Sequence, residues 1–243
     1  MNSKEKIDYI SSWIKNYANS YNFDSLVVGI SGGIDSAVTS TLCAKTFLKT
    51  IVVSMPILDH QTLNARGENH INWLKENFKN IEKFDANLSE VFKLFQSVLK
   101  NNNSEHGYAN TQARLRMTTL YQIAASNNGI VVGTGNKVED FGIGFYTKYG
   151  DGGVDISPIA DCLKTEIWEI AKELNLNQEI IDAPPTDGLW TDGRTDEQQV
   201  GLSYEEIEEA MLNENSANRQ KYLDIRKRNI HKMKPIPVCK IPN

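Results

Sequence analysis

Apolar positions follow two different spacings along the chain, and their alternation predicts strands separated by helices. Leu26, Val27 and Val28 form a short continuous apolar run of strand length, whereas Ile7 and Ile10 belong to a segment with helical spacing. Short buried strands separated by helices are typical of a parallel sheet covered on both faces, so we expect an α/β sandwich of three layers. The pattern predicts strands at 26–30, 50–56, 81–86 and 129–135, and helices at 4–18, 36–48, 61–78, 89–100, 109–127, 164–174, 204–212 and 216–230.

The first predicted strand runs into the segment LVVGISGGIDSA, residues 26–37. Glycines allow the backbone to approach a ligand closely, and the N–H groups at the start of the following helix favour an anion. Neither G-x-x-x-x-G-K-[ST] nor G-x-G-x-x-G is present. Asp35 instead places negative charge beside the expected phosphate, which fits a divalent cation held between the two. The segment therefore predicts a phosphate-binding loop that works with magnesium.

A second glycine-containing segment, GTGNKVED at 133–140, follows the last predicted strand. Ligands of open parallel sheets bind beyond the carboxyl ends of the strands, so we expect both segments to border one cleft. The glycine- and aromatic-rich residues 141–164 predict an ordered functional loop. Residues 183–201 predict a long irregular segment, interpreted as a mobile lid. Ser203 and Glu206 form a predicted capping box at the start of a late helix.

Composition narrows the class of protein. The chain has 243 residues, 40% hydrophobic and 23% charged, and a formal net charge of −5, which argues against non-specific nucleic-acid binding. No apolar run approaches membrane-spanning length, and the N-terminus is unlike a secretory signal. Cys43, Cys162 and Cys239 are widely spaced, which predicts reduced thiols in a cytoplasmic protein. The four histidines show no metal-ligand spacing.

Ser31 to Ser36, SGGIDS, matches the S-G-G-x-D-S loop of the ATP pyrophosphatases. The loop alone leaves asparagine synthetases, GMP synthetases and tRNA-thiolating or lysidine-forming enzymes open. Five later segments decide between them, namely ANTQARLRM, VVGTGNKVED, GFYTKYGDGGVDISPI, APPTDGL and HKM. Together they resemble the ammonia-dependent NAD synthetases over nearly the whole chain. The resemblance implies one Rossmann-like domain over 1–243, no glutaminase domain, and a homodimer.

The resemblance also implies a reaction. ATP adenylates the nicotinate carboxylate of deamido-NAD and releases pyrophosphate, and ammonia then displaces AMP to give NAD in the last step of NAD biosynthesis. Magnesium is the implied cofactor, ATP the co-substrate, and charge neutralisation the expected main source of catalysis.

Matching the family's motifs residue by residue implies a set of site residues. Asp35 and Lys164 are the implied catalytic residues, and Asp35 and Glu139 the implied magnesium ligands. The implied ATP contacts are Gly29, Ile30, Ser31, Gly32, Gly33, Ile34, Asp35, Ser36, Thr134, Lys164 and Thr186. The implied deamido-NAD contacts are Arg114, Lys148, Asp155, His231 and Lys232. Arg116 is interpreted as structural. Between Glu139 and Lys148 the chain has one residue more than the family spacing.

Two other functions remain as alternatives. A tRNA-modifying ATP pyrophosphatase lacks support from charge, from paired cysteines or from a basic appended segment. A nucleotide-sensing module without turnover is the non-enzymatic alternative. A decayed site should have lost Asp35 or Glu139, and both are present.

Overall fold

A parallel sheet lies at the centre of the computed structural model, which describes residues 1–58 and 60–242. Its strands are β1 (Ser25–Ile30), β2 (Lys49–Ser54), β3 (Ile81–Asp85) and β4 (Gly129–Val131), in the order β3-β2-β1-β4. Val27 of β1 pairs with Ile51 on one side and Val131 on the other. The chain moves outward from β1 to β3 and then returns to the far side of β1. The crevice where strand order reverses therefore lies between β1 and β4, which is where open α/β sheets bind ligands.

Helices cover both faces of this sheet. Successive residues of β1 point to opposite faces, so Val28 joins one hydrophobic cluster with Ile14 and Ile167, whereas Val27 joins another with Ile123. The expected three-layer α/β sandwich is confirmed. The helices are α1 (Ser3–Ser20), α2 (Ile34–Ala44), α3 (Gln61–Asn77), α4 (Ser89–Val98), α5 (Glu105–Ser126), α6 (Lys164–Glu173), α7 (Gln178–Ile181), α8 (Asp196–Val200), α9 (Tyr204–Leu212) and α10 (Arg219–Met233).

Most predicted elements are present, and the differences lie at their ends. The helix predicted over 36–48 stops at Ala44, and Phe47, which lies within the predicted span, takes a left-handed φ of 63°. The helix predicted from 109 begins at Glu105, where the Ser104 side chain accepts a hydrogen bond from the Gly107 N–H. The strand predicted over 129–135 ends at Val131. The capping box of Ser203 and Glu206 is confirmed.

A π-helix over Lys137–Ile143 was not predicted, and neither were the short helices α7 and α8. The π-helix covers the segment that has one residue more than the family spacing. A π-helix closes its turns with i→i+5 hydrogen bonds, so each turn holds more residues than an α-helical turn. Glu139 lies in its first turn.

No helix within the described residues is long and apolar enough to span a membrane. Cys43, Cys162 and Cys239 are all free cysteines.

Candidate active site

The glycine loop connects β1 to the N-terminus of α2 and is held by its own serines. Ser31 Oγ accepts from the Gly33 N–H at 3.2 Å, and Ser36 Oγ donates to the Gly33 carbonyl at 2.9 Å. Gly32 has a left-handed φ of 84°, and a Cβ there would collide with the Leu63 carbonyl oxygen. A glycine is therefore required at this position, and α3 closes directly onto the loop.

Three charged side chains, the charged cluster, meet beside this loop. Lys164 begins α6, and its Nζ donates to Asp35 Oδ2 at 2.6 Å and to Glu139 Oε1 at 3.0 Å. Asp35 follows β1 and Glu139 follows β4, so the cluster spans the crevice at which strand order reverses. The Lys164 side chain is 2% exposed, against 18% for Asp35 and 17% for Glu139.

Burial and mutual attraction oppose each other in the charged cluster. Burial lowers the pKa of Lys164, but Asp35 and Glu139 outweigh it and raise the pKa above its usual range, so the ammonium stays charged. Burial would raise the pKa of Glu139, whereas Lys164 and neighbouring hydrogen bonds lower it overall. For Asp35 burial prevails and its pKa is raised, with Lys164 opposing the shift. With both carboxylates ionised the cluster carries a formal charge of −1, which favours a further cation.

Asn136 fixes the two carboxylate-bearing elements to each other. Its Nδ2 donates to Asp35 Oδ1 at 3.0 Å, while its Oδ1 accepts from the Val138 and Glu139 N–H groups at the start of the π-helix. Asn136 is fully buried. The sequence motif GTGNKVED contains this residue, so its position was available as a signal although its role was not predicted.

Tyr204 and Asp196 extend the charged cluster on the other side. Tyr204 Oη donates to Glu139 Oε1 at 2.6 Å and lies 3.0 Å from Asp196 Oδ2. Lys164 Nζ lies 4.7 Å from the centre of the Tyr204 ring, within cation–π range. Burial, reinforced by Glu139, raises the pKa of Asp196 to about 7. Neither Tyr204 nor Asp196 was predicted as a site residue, since both lie outside the motifs that carried the resemblance.

The implied dinucleotide contacts gather around another segment, residues 146–155. Arg114 Nη2 and Nε donate to the Lys148 carbonyl at 3.3 and 3.4 Å; Arg114 is exposed and Lys148 is half-buried. Lys232 Nζ donates to the Tyr146 carbonyl at 2.7 Å. His231 is exposed and turned to its own helix, with Nδ1 3.2 Å from the Arg228 carbonyl oxygen.

Asp155, by contrast, binds the edge of the sheet. Its Oδ2 accepts from the Val131 N–H at 2.8 Å, and its Oδ1 accepts from the Tyr121 hydroxyl at 3.0 Å. Arg116 donates from Nε to the Met55 carbonyl at 3.2 Å, which supports its structural interpretation.

Thr186 belongs to a segment of residues 186–195, here called the Trp190 loop. Its Oγ1 donates to the Arg194 carbonyl at 2.9 Å and accepts from the Gly188 N–H at 3.3 Å, so both contacts lie within the loop and neither reaches the charged cluster. A Cβ on Gly188 would lie 3.2 Å from the Leu63 side chain, the residue that also closes onto Gly32. The Trp190 loop therefore borders the glycine loop. Thr134 lies between β4 and Asn136, at the strand end that faces the crevice.

The donor set of the cluster fits magnesium. Carboxylate oxygens are the ligands this ion takes, and it commonly binds through one or two carboxylates together with phosphates. Within residues 1–58 and 60–242, no three His, Cys, Asp or Glu side chains are grouped to hold a metal. A magnesium ion held by Asp35 and Glu139 would therefore need further oxygens from phosphate and water.

Known proteins resemble this chain throughout its length. A family model described as NAD synthase matches residues 6–239. The "NH(3)-dependent NAD(+) synthetase" of Carboxydothermus hydrogenoformans is 38% identical over 98% of this chain and 97% of its own. The structure of NMN synthetase from Francisella tularensis superimposes with a TM-score of 0.89 at 32% identity, covering 100% of this chain and 99% of that one. An NH3-dependent NAD synthetase structure from Campylobacter jejuni gives a TM-score of 0.80 at 24% identity, over 99% and 100% of the two chains, and shares the fold. The resemblance predicted from the motifs is confirmed, and the chain belongs to the NAD synthase family.

Proposed function

We propose that this chain is a carbon–nitrogen ligase that converts deamido-NAD to NAD with ATP and ammonia. The observation that carries the proposal is the charged cluster of Asp35, Glu139 and Lys164 beside a glycine loop at the β1–β4 crevice. Curated relatives at 35–38% identity bear the name NH(3)-dependent NAD(+) synthetase, which supports the same substrates.

The chemistry explains why such a site is needed. A carboxylate is a poor acyl donor, because an oxide-like leaving group would have to depart. Attack of the nicotinate carboxylate oxygen on the α-phosphorus of ATP forms an acyl adenylate, and pyrophosphate leaves with the electrons of the broken P–O bond. Ammonia then attacks the acyl carbon, AMP leaves, and loss of a proton yields the amide. The first step brings anions together, so neutralising their charge lowers its barrier.

The residues of the cleft divide this work. The glycine loop, Gly29 to Ser36, and the N-terminus of α2 present N–H groups to the ATP phosphates. Asp35 and Glu139 are the proposed magnesium ligands, and bound magnesium would supply charge neutralisation at the phosphate oxygens. Lys164 holds the two carboxylates together and adds a positive charge that stays in place after burial. Thr134 and Thr186 complete the proposed ATP contacts.

The second substrate is long and anionic, and cations outside the charged cluster suit it. Arg114, Lys148 and Lys232 place three positive charges around residues 146–148, and His231 remains a further proposed contact. A guanidinium binds two oxygens of a pyrophosphate at once, which favours Arg114 as its main partner. Asp155 retains its proposed role as a dinucleotide contact.

A second candidate substrate is nicotinate mononucleotide. The observation that favours it is the Francisella tularensis NMN synthetase structure, whose TM-score of 0.89 exceeds the 0.80 of the Campylobacter jejuni NAD synthetase. Amidation of the mononucleotide would use the same adenylation and the same charged cluster. The two candidates differ only in whether an adenylate half must be bound.

Purified protein should be assayed with ATP, Mg²⁺ and ammonium chloride, offering deamido-NAD and nicotinate mononucleotide in parallel. We expect AMP and NAD to form in equal amounts from deamido-NAD, with kcat/KM at least about tenfold above that for the mononucleotide, equivalent to about 1.4 kcal/mol. A higher kcat/KM for the mononucleotide would replace the first proposal by the second. ATP consumption without either amide would reject both.

Ammonia is the proposed nitrogen donor. Glutamine should support little amide formation, whereas ammonium salts should support it, with the rate rising with pH as free NH₃ increases. Efficient turnover of glutamine by this chain would contradict the assignment.

We also propose a cytoplasmic homodimer. Three free cysteines fit a reducing compartment. Apolar side chains stand exposed on α4, among them Leu94 (66%) and Val98 (74%), and these suit burial against a second copy. Sedimentation equilibrium should give twice the mass of the chain, and Leu94→Glu with Val98→Glu should give a monomer.

A further inference from the structure

A chain of buried hydrogen bonds connects the charged cluster to the neck of the Trp190 loop. Tyr204 Oη donates its one proton to Glu139 Oε1 at 2.6 Å, and Asp196 Oδ2, 3.0 Å from the same hydroxyl oxygen, completes the chain as the donor when its carboxyl group is protonated. Tyr204 is 3% exposed and Asp196 is 6% exposed. The mechanism described above uses neither residue, although both are placed against a proposed magnesium ligand.

Glu139 has reason to need such a restraint. Its side chain is long and flexible, and it starts from a π-helix. Its Oε1 accepts hydrogen bonds from both Lys164 and Tyr204. Two donors on one oxygen restrain the orientation of the carboxylate group.

Asp196 is itself held where the Trp190 loop closes. Its N–H donates to the Pro185 carbonyl at 3.1 Å, which joins the two ends of the loop. Thr195 caps α8 immediately before it, with a complete capping box. The hydroxyl of Tyr204 is therefore held between a carboxyl group anchored at the loop neck and the carboxylate of Glu139.

We propose that Tyr204 is a positioning residue for Glu139, held in turn by Asp196, so that the geometry of the proposed magnesium ligand depends on the closed neck of the Trp190 loop. The inference rests on the proposed function, because it gives Glu139 its role toward magnesium. Hydrogen-bond partners of metal ligands commonly change metal affinity by about 10- to 100-fold when removed.

A purely structural role is the competing explanation. The Tyr204 ring packs edge-to-face on Trp168, 6.1 Å between centroids, and belongs to the hydrophobic cluster of α9 and α10. Tyr204→Phe keeps that ring and removes only the hydroxyl. Tyr222 offers a matched control, because it is 6% exposed in the same cluster and makes no hydrogen bond to Glu139.

The test is Mn²⁺ binding, followed by electron paramagnetic resonance of the free ion, to the full chain with a non-hydrolysable ATP analogue. Tyr204→Phe should weaken Mn²⁺ binding by about 10- to 100-fold and leave the KM for deamido-NAD unchanged, while Tyr222→Phe should match the wild type. Unchanged Mn²⁺ affinity in Tyr204→Phe, with Glu139→Gln strongly weakened, would overturn the positioning role alone. Unchanged affinity in Glu139→Gln would overturn the metal assignment, and the positioning role with it.

Folding must be separated from positioning. Tyr204→Phe should melt within a few degrees of Tyr222→Phe. If Tyr204→Phe does not fold, Asp196→Ala carries the test, since it leaves the Tyr204–Glu139 contact and removes its anchor. We expect Asp196→Ala to bind Mn²⁺ several-fold more weakly, and wild-type affinity in this variant would reject the proposal.

Discussion

Among residues 1–58 and 60–242, two lysines are each held between two carboxylates, and only one of them lies in the candidate active site. Lys83 on β3 bridges Glu68 at 2.7 Å and Asp85 at 2.9 Å, much as Lys164 bridges Asp35 and Glu139. The Lys83 side chain is 24% exposed, and Asp85 is 66% exposed, whereas the Lys164 side chain is 2% exposed. The same three charges thus occur once at the surface and once in the interior.

The difference lies in what surrounds the charges. Water screens the Lys83 group, so its pairs contribute little to folding. The charged cluster has lost that solvation and depends on Asn136 and Tyr204 for its remaining hydrogen bonds. Its formal charge of −1 is therefore felt strongly by whatever enters the crevice. A lysine between two acids indicates function here only because it is buried beside the glycine loop that is proposed to bind phosphate.

Replacing the buried Lys164 should have the largest effect of the changes considered, on both turnover and stability. Lys164→Met should reduce ATP-dependent pyrophosphate release by about 100- to 1,000-fold, because a fixed positive charge beside the transferring phosphate is lost. It should also destabilise the fold by about 3–5 kcal/mol, since two buried carboxylates lose their partner. Urea unfolding and a pyrophosphate assay measure the two effects. Wild-type turnover in Lys164→Met would remove this residue from the site.

Removing the negative charge of Asp35 should affect turnover, whereas removing that of Asp85 at the surface should not. Asp35→Asn should lower magnesium-dependent pyrophosphate release by roughly 100-fold while the fold remains, because the cation loses a carboxylate ligand. Asp85→Asn is the matched surface change and should leave the rate unaltered. Initial rates over a range of Mg²⁺ concentrations test both variants. Equal rates for the two would contradict the assignment of Asp35.

Arg114 lies at the surface, as Lys83 does, but it is proposed to bind deamido-NAD, so its replacement should affect ligand binding. Arg114→Ala should weaken deamido-NAD binding by about 1.5–3 kcal/mol, roughly ten- to a hundredfold, and leave ATP binding within about twofold. Calorimetric titration with each ligand separates the two effects, and a melting curve reports folding. Equal loss of both ligands together with early melting would show that Arg114 is structural.

Asp140 tests a buried acid of the same region that has no lysine within salt-bridge distance among the described residues. Burial, with Glu139 and Asp151 adding to it, raises its pKa to about 8, against about 3.9 in an unfolded chain. Below about pH 4 Asp140 is protonated in both the folded and the unfolded chain and does not lower the free energy of unfolding. As pH rises from about 4 toward 8 the unfolded chain loses this proton first, so the free energy of unfolding falls. Asp140→Asn should gain roughly 3 to 4 kcal/mol of unfolding free energy relative to the wild type between pH 5 and pH 8. Urea unfolding at both pH values measures this, and a pH-independent difference would contradict it.

The smallest effect belongs to the surface lysine. Lys83→Met should change the free energy of unfolding by at most about 1 kcal/mol, and the change should shrink in about 1 M salt. Catalysis should be untouched. Urea unfolding at low and high salt provides the measurement, and a loss as large as that of Lys164→Met would show that burial is not what distinguishes the two groups.

The parallel sheet, and the meeting of the two glycine-containing segments at one edge of it, were predictable from the sequence for a physical reason. Buried strands and the loop at Ser31 to Ser36 are local patterns, and the carboxyl ends of parallel strands must share an edge. The convergence of Asp35 and Glu139 on one crevice therefore followed from topology. The bridging position of Lys164 between them did not, because it depends on how α6 packs.

The elements that escaped prediction depend on tertiary context. The π-helix at Lys137–Ile143 has no distinctive composition. Tyr204 reaches Glu139 from 65 positions away, and Asp196 belongs to a helix of five residues. Neither contact has a local signature, so only the folded packing of α9 against the π-helix reveals them.

The reversal of strand order at β1 and β4 also has a consequence for how the protein becomes active. Asp35 and Lys164 are 129 positions apart, and Tyr204 lies further along the chain. Contacts of such separation form late, because loop-closure entropy must be overcome before they contribute. The sheet of β1, β2 and β3 can assemble from the first third of the chain, but the cleft exists only after β4, α6 and α9 have docked. Catalytic competence is therefore a property acquired at the end of folding, and it would be lost first when the carboxyl-terminal helices loosen.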